Sequence, residues 1–252
     1  MTVTFSDQVR SLVQRQGSTA EDDLLFQPLT SYSQHQTANP GARPAATFHV
    51  VLAGTIEAFH KPFSRVDVAL AHAYRQHRRE PPIHECAAWR LARSLGGEVE
   101  EIVAPTVMRH LHGEWGSLAS RWYGDAATIK PMLQRPDQCL AAAFFDSLIA
   151  QQDRHLGNIR WDDGKQHLGL FDHGYAFADP GATLNESAFV AWRWQQGKEA
   201  LGQWEHDALI DLLGSHDLHG MTEFLQSRRA NALEDRARRM LQSGRILVLG
   251  DF

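Results

Sequence analysis

The pattern of apolar and polar positions predicts that strands dominate the first half of the chain. Residues 47–59 (TFHVVLAGTIEAF) are mostly β-branched and aromatic, with Gly54 near the centre, which predicts two strands joined by a tight turn. Residues 102–111 and 116–123 have the same character and are separated by a short polar break. We therefore predict a strand-rich region that ends near residue 123.

Helical periodicity appears first between these strands and then dominates the second half. Residues 84–95 carry apolar side chains three or four positions apart, and Gly96 and Gly97 end the pattern, so we predict a helix there. Residues 138–151 (QCLAAAFFDSLIAQ) predict a strongly apolar helix. Three further helical stretches follow, over residues 186–196, 203–213 and 221–242. The last of them is amphipathic, with its arginines on a polar face.

Strands followed by helices predict an α+β protein. We expect a small strand-rich N-terminal lobe with one helix over residues 1–123 and a larger helical C-terminal lobe over residues 124–252.

Composition narrows the functional classes. Hydrophobic residues at 43% and charged residues at 22% exclude a wholly disordered chain, and a net charge of -5 argues against nucleic-acid binding. The two cysteines, Cys86 and Cys139, are too few for a disulfide framework and suit a reducing compartment. The apolar runs fall short of the roughly 20 residues that cross a bilayer, and the N-terminus lacks a signal-peptide pattern. We therefore expect a cytoplasmic protein without a transmembrane segment.

Two other features carry less information. Fourteen histidines suggest metal binding, but neither His110 with His112 nor His216 with His219 has the second half of a zinc motif, so we predict no zinc site. The basic run at residues 75–79 (RQHRR) is interpreted as a solvated loop.

The most informative segment covers residues 152–177 (QDRHLGNIRWDDGKQHLGLFDHGYAF). A polar loop follows the apolar helix, and a short hairpin around Asp162-Asp163-Gly164 then leads to Asp172. Because a hairpin brings its two ends together, we expect Asn158 and Asp172 to be neighbours. Two hard oxygen ligands, with phosphates and waters in the other positions, suit Mg²⁺. Asp153, in the same loop, could accept a proton from a hydroxyl nucleophile.

This segment has D-R-H-x-x-N first, then a hairpin, then F-D-H-G. That order resembles the catalytic and metal-binding loops of the protein-kinase-like fold. Ordinary protein kinases have His-Arg-Asp in this loop. Here the aspartate comes first, as in phosphatidylinositol 3- and 4-kinases and HipA-like serine/threonine kinases. The resemblance implies a bilobal fold that binds ATP and Mg²⁺. It implies Asp153 as the catalytic aspartate, His155 as its loop partner, Asn158 and Asp172 as Mg²⁺ ligands, and Gly174 as the glycine after the metal aspartate.

A kinase also needs a lysine for the ATP phosphates and a helical glutamate paired with it. Lys61, at the end of the second predicted strand, and Glu85, at the start of the predicted helix, are the candidates. Lys61 is followed by a proline, and Glu85 begins the sequence Glu-x-Ala-Ala. Both local sequences are similar to the HipA-like pattern. The same resemblance puts the adenine-binding hinge near Trp122 and Tyr123, although both are equally compatible with core packing.

The loop that would cover the phosphates lies near Gly41 and lacks the G-x-G-x-x-G signature. The sequence thus predicts a kinase that moves the γ-phosphate of MgATP to a hydroxyl acceptor, foremost a protein Ser or Thr in the HipA-like manner. The open alternatives are a lipid or small-molecule kinase, an AMP-transferring enzyme of the same fold, and a non-catalytic ATP-binding regulator. A metal-dependent hydrolase with a histidine-aspartate site is the alternative outside this fold.

Overall fold

The computed structural model describes residues 19–34, 47–120, 125–126, 131, 134–179, 187–215, 218, 221, 223–248 and 251. Within these residues, no helix combines the length and the apolarity needed to cross a membrane. The predicted lobe boundary at residue 123 and the hinge candidates Trp122 and Tyr123 lie outside the described residues, as does the loop around Gly41.

A five-stranded antiparallel sheet forms the first part of the structure. Its strands, in chain order, are β1 Leu29–Gln34, β2 Phe48–Leu52, β3 Ile56–Pro62, β4 Thr106–Leu111 and β5 Glu114–Ser120. They lie side by side in the order β1-β2-β3-β5-β4. The predicted tight turn joins β2 to β3, and Ala53 and Gly54 take the positive φ angles that it requires (48° and 76°).

Strand β3 occupies the centre of this sheet and alternates between its two faces. Ala58, His60 and Pro62 are buried on one face, whereas Phe59 and Lys61 lie on the other. The strand continues to Pro62, further than the pattern predicted, so Lys61 is paired within the sheet, opposite Ser117 of β5.

The structure corrects several predicted boundaries in this part. Strand β1 and a preceding helix, α1 (Thr19–Phe26), were not predicted. A short helix, α2 (Val68–Ala73), also follows β3. The strand predicted from residue 102 begins only at Thr106, because the chain turns at Gly96 and Gly97 into another short helix, α4 (Gly97–Ile102).

The helix that carries Glu85 is α3 (Glu80–Leu95), one turn longer than predicted. Pro81 and Pro82 suggested a break, but they stand in the first turn, where the missing N–H has no helical partner to lose. Glu85 is therefore in the second turn of the helix and is buried, not at the helix start as predicted.

Helices and a hairpin make up the second part. Helix α5 (Pro136–Ile149) leads into the polar loop, and the predicted hairpin is formed by β7 (Ile159–Asp162) and β8 (His167–Leu170), with the two-residue strand β6 (Asp125–Ala126) beside β7. Helices α6 (Ala188–Gln195), α7 (Gln203–Gly214) and α8 (Ser227–Ser243) follow. Helix α8 begins later than the predicted residue 221, and its Arg229 and Arg236 are buried rather than on a polar face.

The larger hydrophobic cluster joins α3 to the C-terminal helices. Its members include Leu91, Phe144, Phe145, Phe177 and Leu233, all fully buried. A smaller cluster around Val50, Ala58 and Leu118 lies on the sheet. The protein is thus an α+β protein with a strand-rich first part and a helical second part, consistent with a bilobal kinase-like fold.

Candidate active site

Lys61 contacts two other predicted site residues, Glu85 and Asp172, that come from distant parts of the sequence. The ammonium Nζ of Lys61 lies 2.6 Å from Oε1 of Glu85 and 2.9 Å from Oδ1 of Asp172. The side chain of Glu85 is 5% exposed, that of Lys61 is 23% exposed and that of Asp172 is 33% exposed. The structure therefore brings together β3, α3 and the loop after β8, and one edge of the cluster remains open to solvent.

The electrostatics of this cluster favour the charged form of the lysine. Burial alone would lower the pKa of Lys61, but the carboxylates of Asp172 and Glu85 outweigh burial and raise it. Burial, reinforced by the nearby charge of Asp172, raises the pKa of Glu85 in spite of Lys61. Burial also acts against ionised Asp172, yet the charge of Lys61 prevails and lowers the pKa of that carboxyl. A cation is thus fixed beside a carboxylate that remains ionised.

Ser117 completes this cluster and was not predicted from the sequence. Its hydroxyl donates a hydrogen bond of 2.8 Å to Oε2 of Glu85, while Oε1 of the same carboxylate binds Lys61. Because β5 pairs directly with β3, Ser117 lies opposite Lys61. The strict alternation of side chains along β5 is the sequence signal that could have placed Ser117 on the face of Lys61.

Gly174 allows the loop after β8 to approach helix α3. A Cβ atom at Gly174 would lie 3.1 Å from Cβ of Pro81 and 3.5 Å from Oε1 of Glu85. A side chain would therefore crowd the helix that carries Glu85. The glycine that the sequence singled out after Asp172 thus has a steric role in this structure.

Asp153 lies in the loop after α5, where Ala150 takes a left-handed conformation and ends the helix. The carboxyl is partly buried, and burial, followed by the charge of Asp172, raises its pKa. The hydroxyl of Tyr74 donates a hydrogen bond of 3.3 Å to Oδ1 of Asp153. The loop is tied to the next one because Nε2 of Gln151 donates to the backbone carbonyl of Asp172 at 3.2 Å.

Arg154 joins the loop of Asp153 to the loop of Asp172. The sequence analysis included it in the motif D-R-H-x-x-N but gave it no role. Its guanidinium is fully buried and forms an ion pair with Asp146 of α5 at 3.1 Å. It also donates to the backbone carbonyls of Asn158 (3.1 Å) and Phe171 (2.7 Å). A further hydrogen bond of 2.9 Å joins it to Nδ1 of His173. Arg154 therefore fixes the loop of Asp153 and the loop of Asp172 against the same helix.

Asn158 lies where the hairpin brings its two ends together, as the sequence predicted. The backbone N–H of Phe171 donates to the carbonyl of Asn158 at 3.4 Å, which places Asn158 beside the residue that precedes Asp172. The side-chain amide donates through Nδ2 to the carbonyl of Asp153 at 2.8 Å. The amide oxygen is then the atom through which Asn158 could bind a cation.

This donor set fits Mg²⁺. One amide oxygen and one ionised carboxylate on adjoining loops supply hard oxygen ligands, and phosphate oxygens and waters commonly complete such sites. No group of three or more His, Cys, Asp or Glu side chains that could hold a metal ion occurs among the described residues.

Among the predicted site residues that the structure describes, His155 is the most exposed to solvent. Its ring is exposed, and Nδ1 accepts a hydrogen bond of 3.0 Å from the backbone N–H of Gly157. The ring therefore caps the short turn Leu156–Asn158. Its role as the loop partner of Asp153 remains a prediction.

Comparison with known proteins adds little to this geometry. No protein-family model matches the chain, and no curated protein matches it. Among solved structures, the crystal structure of a Helicobacter pylori proinflammatory kinase, CtkA, is similar over 88% of this chain and 94% of that chain, with a TM-score of 0.45 and 12% sequence identity. A likeness at this level assigns no property of that kinase to this chain.

Proposed function

We propose that this protein is a phosphotransferase that moves the γ-phosphate of MgATP to a hydroxyl acceptor. The single observation that carries the proposal is the contact of Lys61 with both Glu85 and Asp172, at 2.6 Å and 2.9 Å. A lysine fixed between a helical glutamate and a loop aspartate is the arrangement that phosphoryl transfer requires of this fold.

Each side chain has a specific role in the proposal. Lys61, held by Glu85 and Ser117, contacts the phosphates of ATP. Asn158 and Asp172 hold Mg²⁺, which supplies charge neutralisation on the phosphates. Asp153 orients the acceptor hydroxyl and takes its proton, and its raised pKa makes it a better proton acceptor than an ordinary aspartate. Catalysis then depends on positioning and on electrostatic stabilisation.

The acceptor class is proposed on the motif alone. The order D-R-H-x-x-N favours the branch that contains HipA-like kinases and phosphatidylinositol kinases. Within that branch, we propose that the acceptor is a Ser or Thr hydroxyl of a protein. We propose ATP, Mg²⁺ and such a protein acceptor as the partners of the site.

Measurement of equilibrium ATP binding tests the site directly, once in the presence of Mg²⁺ and once with a chelator in place of Mg²⁺. We expect Mg²⁺ to strengthen ATP binding to the wild-type protein. Asp172→Asn keeps the shape of the side chain but removes its charge, so the affinity for MgATP should fall at least about tenfold, as even outer partners of metal ligands contribute that much. Asp207→Asn, on the exposed surface of α7, is the matched control and should leave the affinity unchanged.

Equal MgATP affinity in wild type and Asp172→Asn would contradict the metal assignment. ATP labelled at the γ-phosphate or at the α-phosphate then identifies the group that is transferred. Label transferred only from the α-position would replace phosphoryl transfer with AMP transfer. MgATP binding without transfer of either label, even to water, would identify a non-catalytic ATP-binding regulator.

A further inference from the structure

Tyr74 places a hydroxyl of the protein itself at the candidate catalytic base. Its phenol donates to Oδ1 of Asp153 at 3.3 Å, although the two residues are 79 positions apart in the sequence. The ring of Tyr74 packs against the ring of Tyr175, with centroids 4.8 Å apart. The phenol oxygen therefore occupies the position in which an acceptor hydroxyl would meet Asp153.

The segment around Tyr74 is anchored on both sides. Asp67 caps the start of α2 by accepting hydrogen bonds from the N–H groups of Ala69 (2.9 Å) and Leu70 (3.0 Å). After Tyr74, the carbonyl of Arg75 accepts a hydrogen bond from the buried Arg229, and Nε2 of Gln76 donates to the carbonyl of Ala176. The hydroxyl is thus held at Asp153 by the fold rather than by its own weak hydrogen bond.

The same hydroxyl lies close to the proposed metal loop. Tyr175, which contacts the ring of Tyr74, follows Asp172 by three residues. The carbonyl of Tyr175 also accepts a hydrogen bond of 3.2 Å from the N–H of Gln152, next to Asp153. The carboxylates of Asp153 and Asp172 are near enough for the charge of one to raise the pKa of the other. The hydrogen bond to Asp153 and the ring contact with Tyr175 therefore join Tyr74 both to the loop of the proposed base and to the segment that follows Asp172.

We propose that Tyr74 is an internal phosphate acceptor, which the protein phosphorylates in cis. The inference rests on the proposed function. The phenol oxygen forms a bond to the γ-phosphorus of ATP, the bond from that phosphorus to the β,γ-bridging oxygen breaks, ADP leaves, and the phenol proton passes to the carboxylate of Asp153. An acceptor held in position by the fold has a large rate advantage over one that must diffuse in.

Incubation of the full chain with Mg²⁺ and γ-labelled ATP, followed by mapping of the labelled residue by mass spectrometry, tests this inference. We expect one phosphoryl group per chain, on Tyr74, and loss of that label in Tyr74→Phe, which keeps the ring and its contact with Tyr175. Tyr32→Phe removes a phenol that is hydrogen-bonded to His60 in the sheet, and it should leave the label in place. The labelled fraction formed per unit time should not change on dilution of the protein.

A mixture separates transfer in cis from transfer between chains. An Asp153→Asn chain added to wild-type protein should remain unlabelled on Tyr74, and label on it would overturn the cis assignment. Bound MgATP with transfer to water or to another residue, but none to Tyr74, would overturn this inference and leave the proposed function intact. Failure of the protein to bind MgATP at all would overturn both.

Discussion

Arg154 is the side chain that connects the most parts of the candidate site. It is fully buried, its charge is paired with Asp146, and its Nη1 group donates to one carbonyl from each of the two loops. Ser187 also donates to Asp146, at 2.7 Å. A planar guanidinium is suited to this task because it presents several donors in a fixed geometry, whereas a lysine has a single ammonium group.

Replacement of Arg154 by Met should cost both stability and nucleotide binding. The change leaves Asp146 buried without its charge partner, and breaking a buried pair in this way costs about 3–5 kcal/mol. The carbonyls of Asn158 and Phe171 also lose a donor, so the two loops should separate and MgATP affinity should fall. Chemical denaturation and ATP titration measure the two effects. Arg238→Met, which breaks an exposed pair with Glu234, is the control and should cost less than about 1 kcal/mol.

The double variant Arg154→Met with Asp146→Leu distinguishes a positioning role from a purely structural one. An apolar pair removes the isolated buried charge, so part of the lost unfolding free energy should return. MgATP affinity should stay low, because the loop carbonyls remain without their donor. Recovery of nucleotide binding together with stability would show that Arg154 does not position the loops.

Among individual residues, the sequence identified those with a recognisable motif and missed those that act through tertiary contacts. Lys61, Glu85 and Asp172 were predicted as a set, and the structure places them within hydrogen-bonding distance. Ser117 and Tyr74 were missed because the local sequence indicates at most the face of β5 on which Ser117 lies; it does not indicate that Ser117 meets Glu85 or that Tyr74 meets Asp153. Such contacts depend on the register of a sheet and on the path of a loop, which a single sequence does not specify.

At the level of elements, the close approach of β3 and β5 sets the position of Lys61. Gly116 of β5 lies opposite Pro62, and a Cβ atom on it would be 2.3 Å from the carbonyl oxygen of Lys61. The atom in the way belongs to the backbone, so the clash is relieved only if the strands move apart. The absence of a side chain at Gly116 is therefore a condition for the register that pairs Lys61 with Ser117.

Gly116→Ala should consequently destabilise the sheet and weaken nucleotide binding together. We expect a loss of about 1–3 kcal/mol in the free energy of unfolding, typical of overpacking, and a lower MgATP affinity because Lys61 shifts with β3. Denaturant unfolding and ATP titration measure both. Gly214→Ala, at the end of α7 with open space around the added Cβ, should be neutral or slightly stabilising. An unaltered Gly116→Ala protein would refute the steric argument.

The elements themselves were predicted best where one local signal dominated. Gly54 indicated the turn between β2 and β3, and a long apolar run indicated helix α5. Asp-Gly in a turn indicated the hairpin of β7 and β8. Helix α3 was predicted too short because two prolines favour a break as well as a helical first turn, and the local sequence does not decide between them. Strand β1 was missed because its exposed polar residues carry no alternation; pairing with β2 defines it.

For the whole molecule, buried charges connect the last helix to the site. Arg229 of α8 is fully buried, donates to the carbonyls of Phe177 (2.6 Å) and Arg75 (2.9 Å), and pairs with Glu80 of α3 at 3.3 Å. Arg229 thus joins the segment that follows Asp172, the start of α3 and the segment of Tyr74. The sequence predicted a solvated face for the arginines of α8, since amphipathic periodicity does not reveal a charge that is paired inside the protein.

Buried histidines make the whole fold sensitive to acid. His60 lies in β3, His84 in α3 and His173 in the loop after β8, and all three are buried. Burial lowers the pKa of His60 to about 4, and burial, followed by the charge of Arg229 or of Arg154, lowers the pKa values of His84 and His173 well below the usual value. Protonation of any of them therefore favours the unfolded chain, in which the ring is hydrated. The sheet, helix α3 and the loop after β8 should consequently all lose stability as the solution is made more acidic.

The free energy of unfolding should therefore fall as the pH is lowered from about 6.5, the value of an unfolded histidine, towards the pKa of about 4 in folded His60. Between these limits the unfolded state binds more protons than the folded state, so each such histidine contributes a slope of up to about 1.4 kcal/mol per pH unit. Denaturant unfolding at several pH values measures the total slope, to which carboxylates also contribute. His60→Gln retains a polar partner for Tyr32 and should reduce the slope by the share of one histidine, whereas His206→Gln, exposed on α7, should not. Equal slopes for His60→Gln and wild type would mean that His60 takes up its proton in the folded protein as readily as in the unfolded chain.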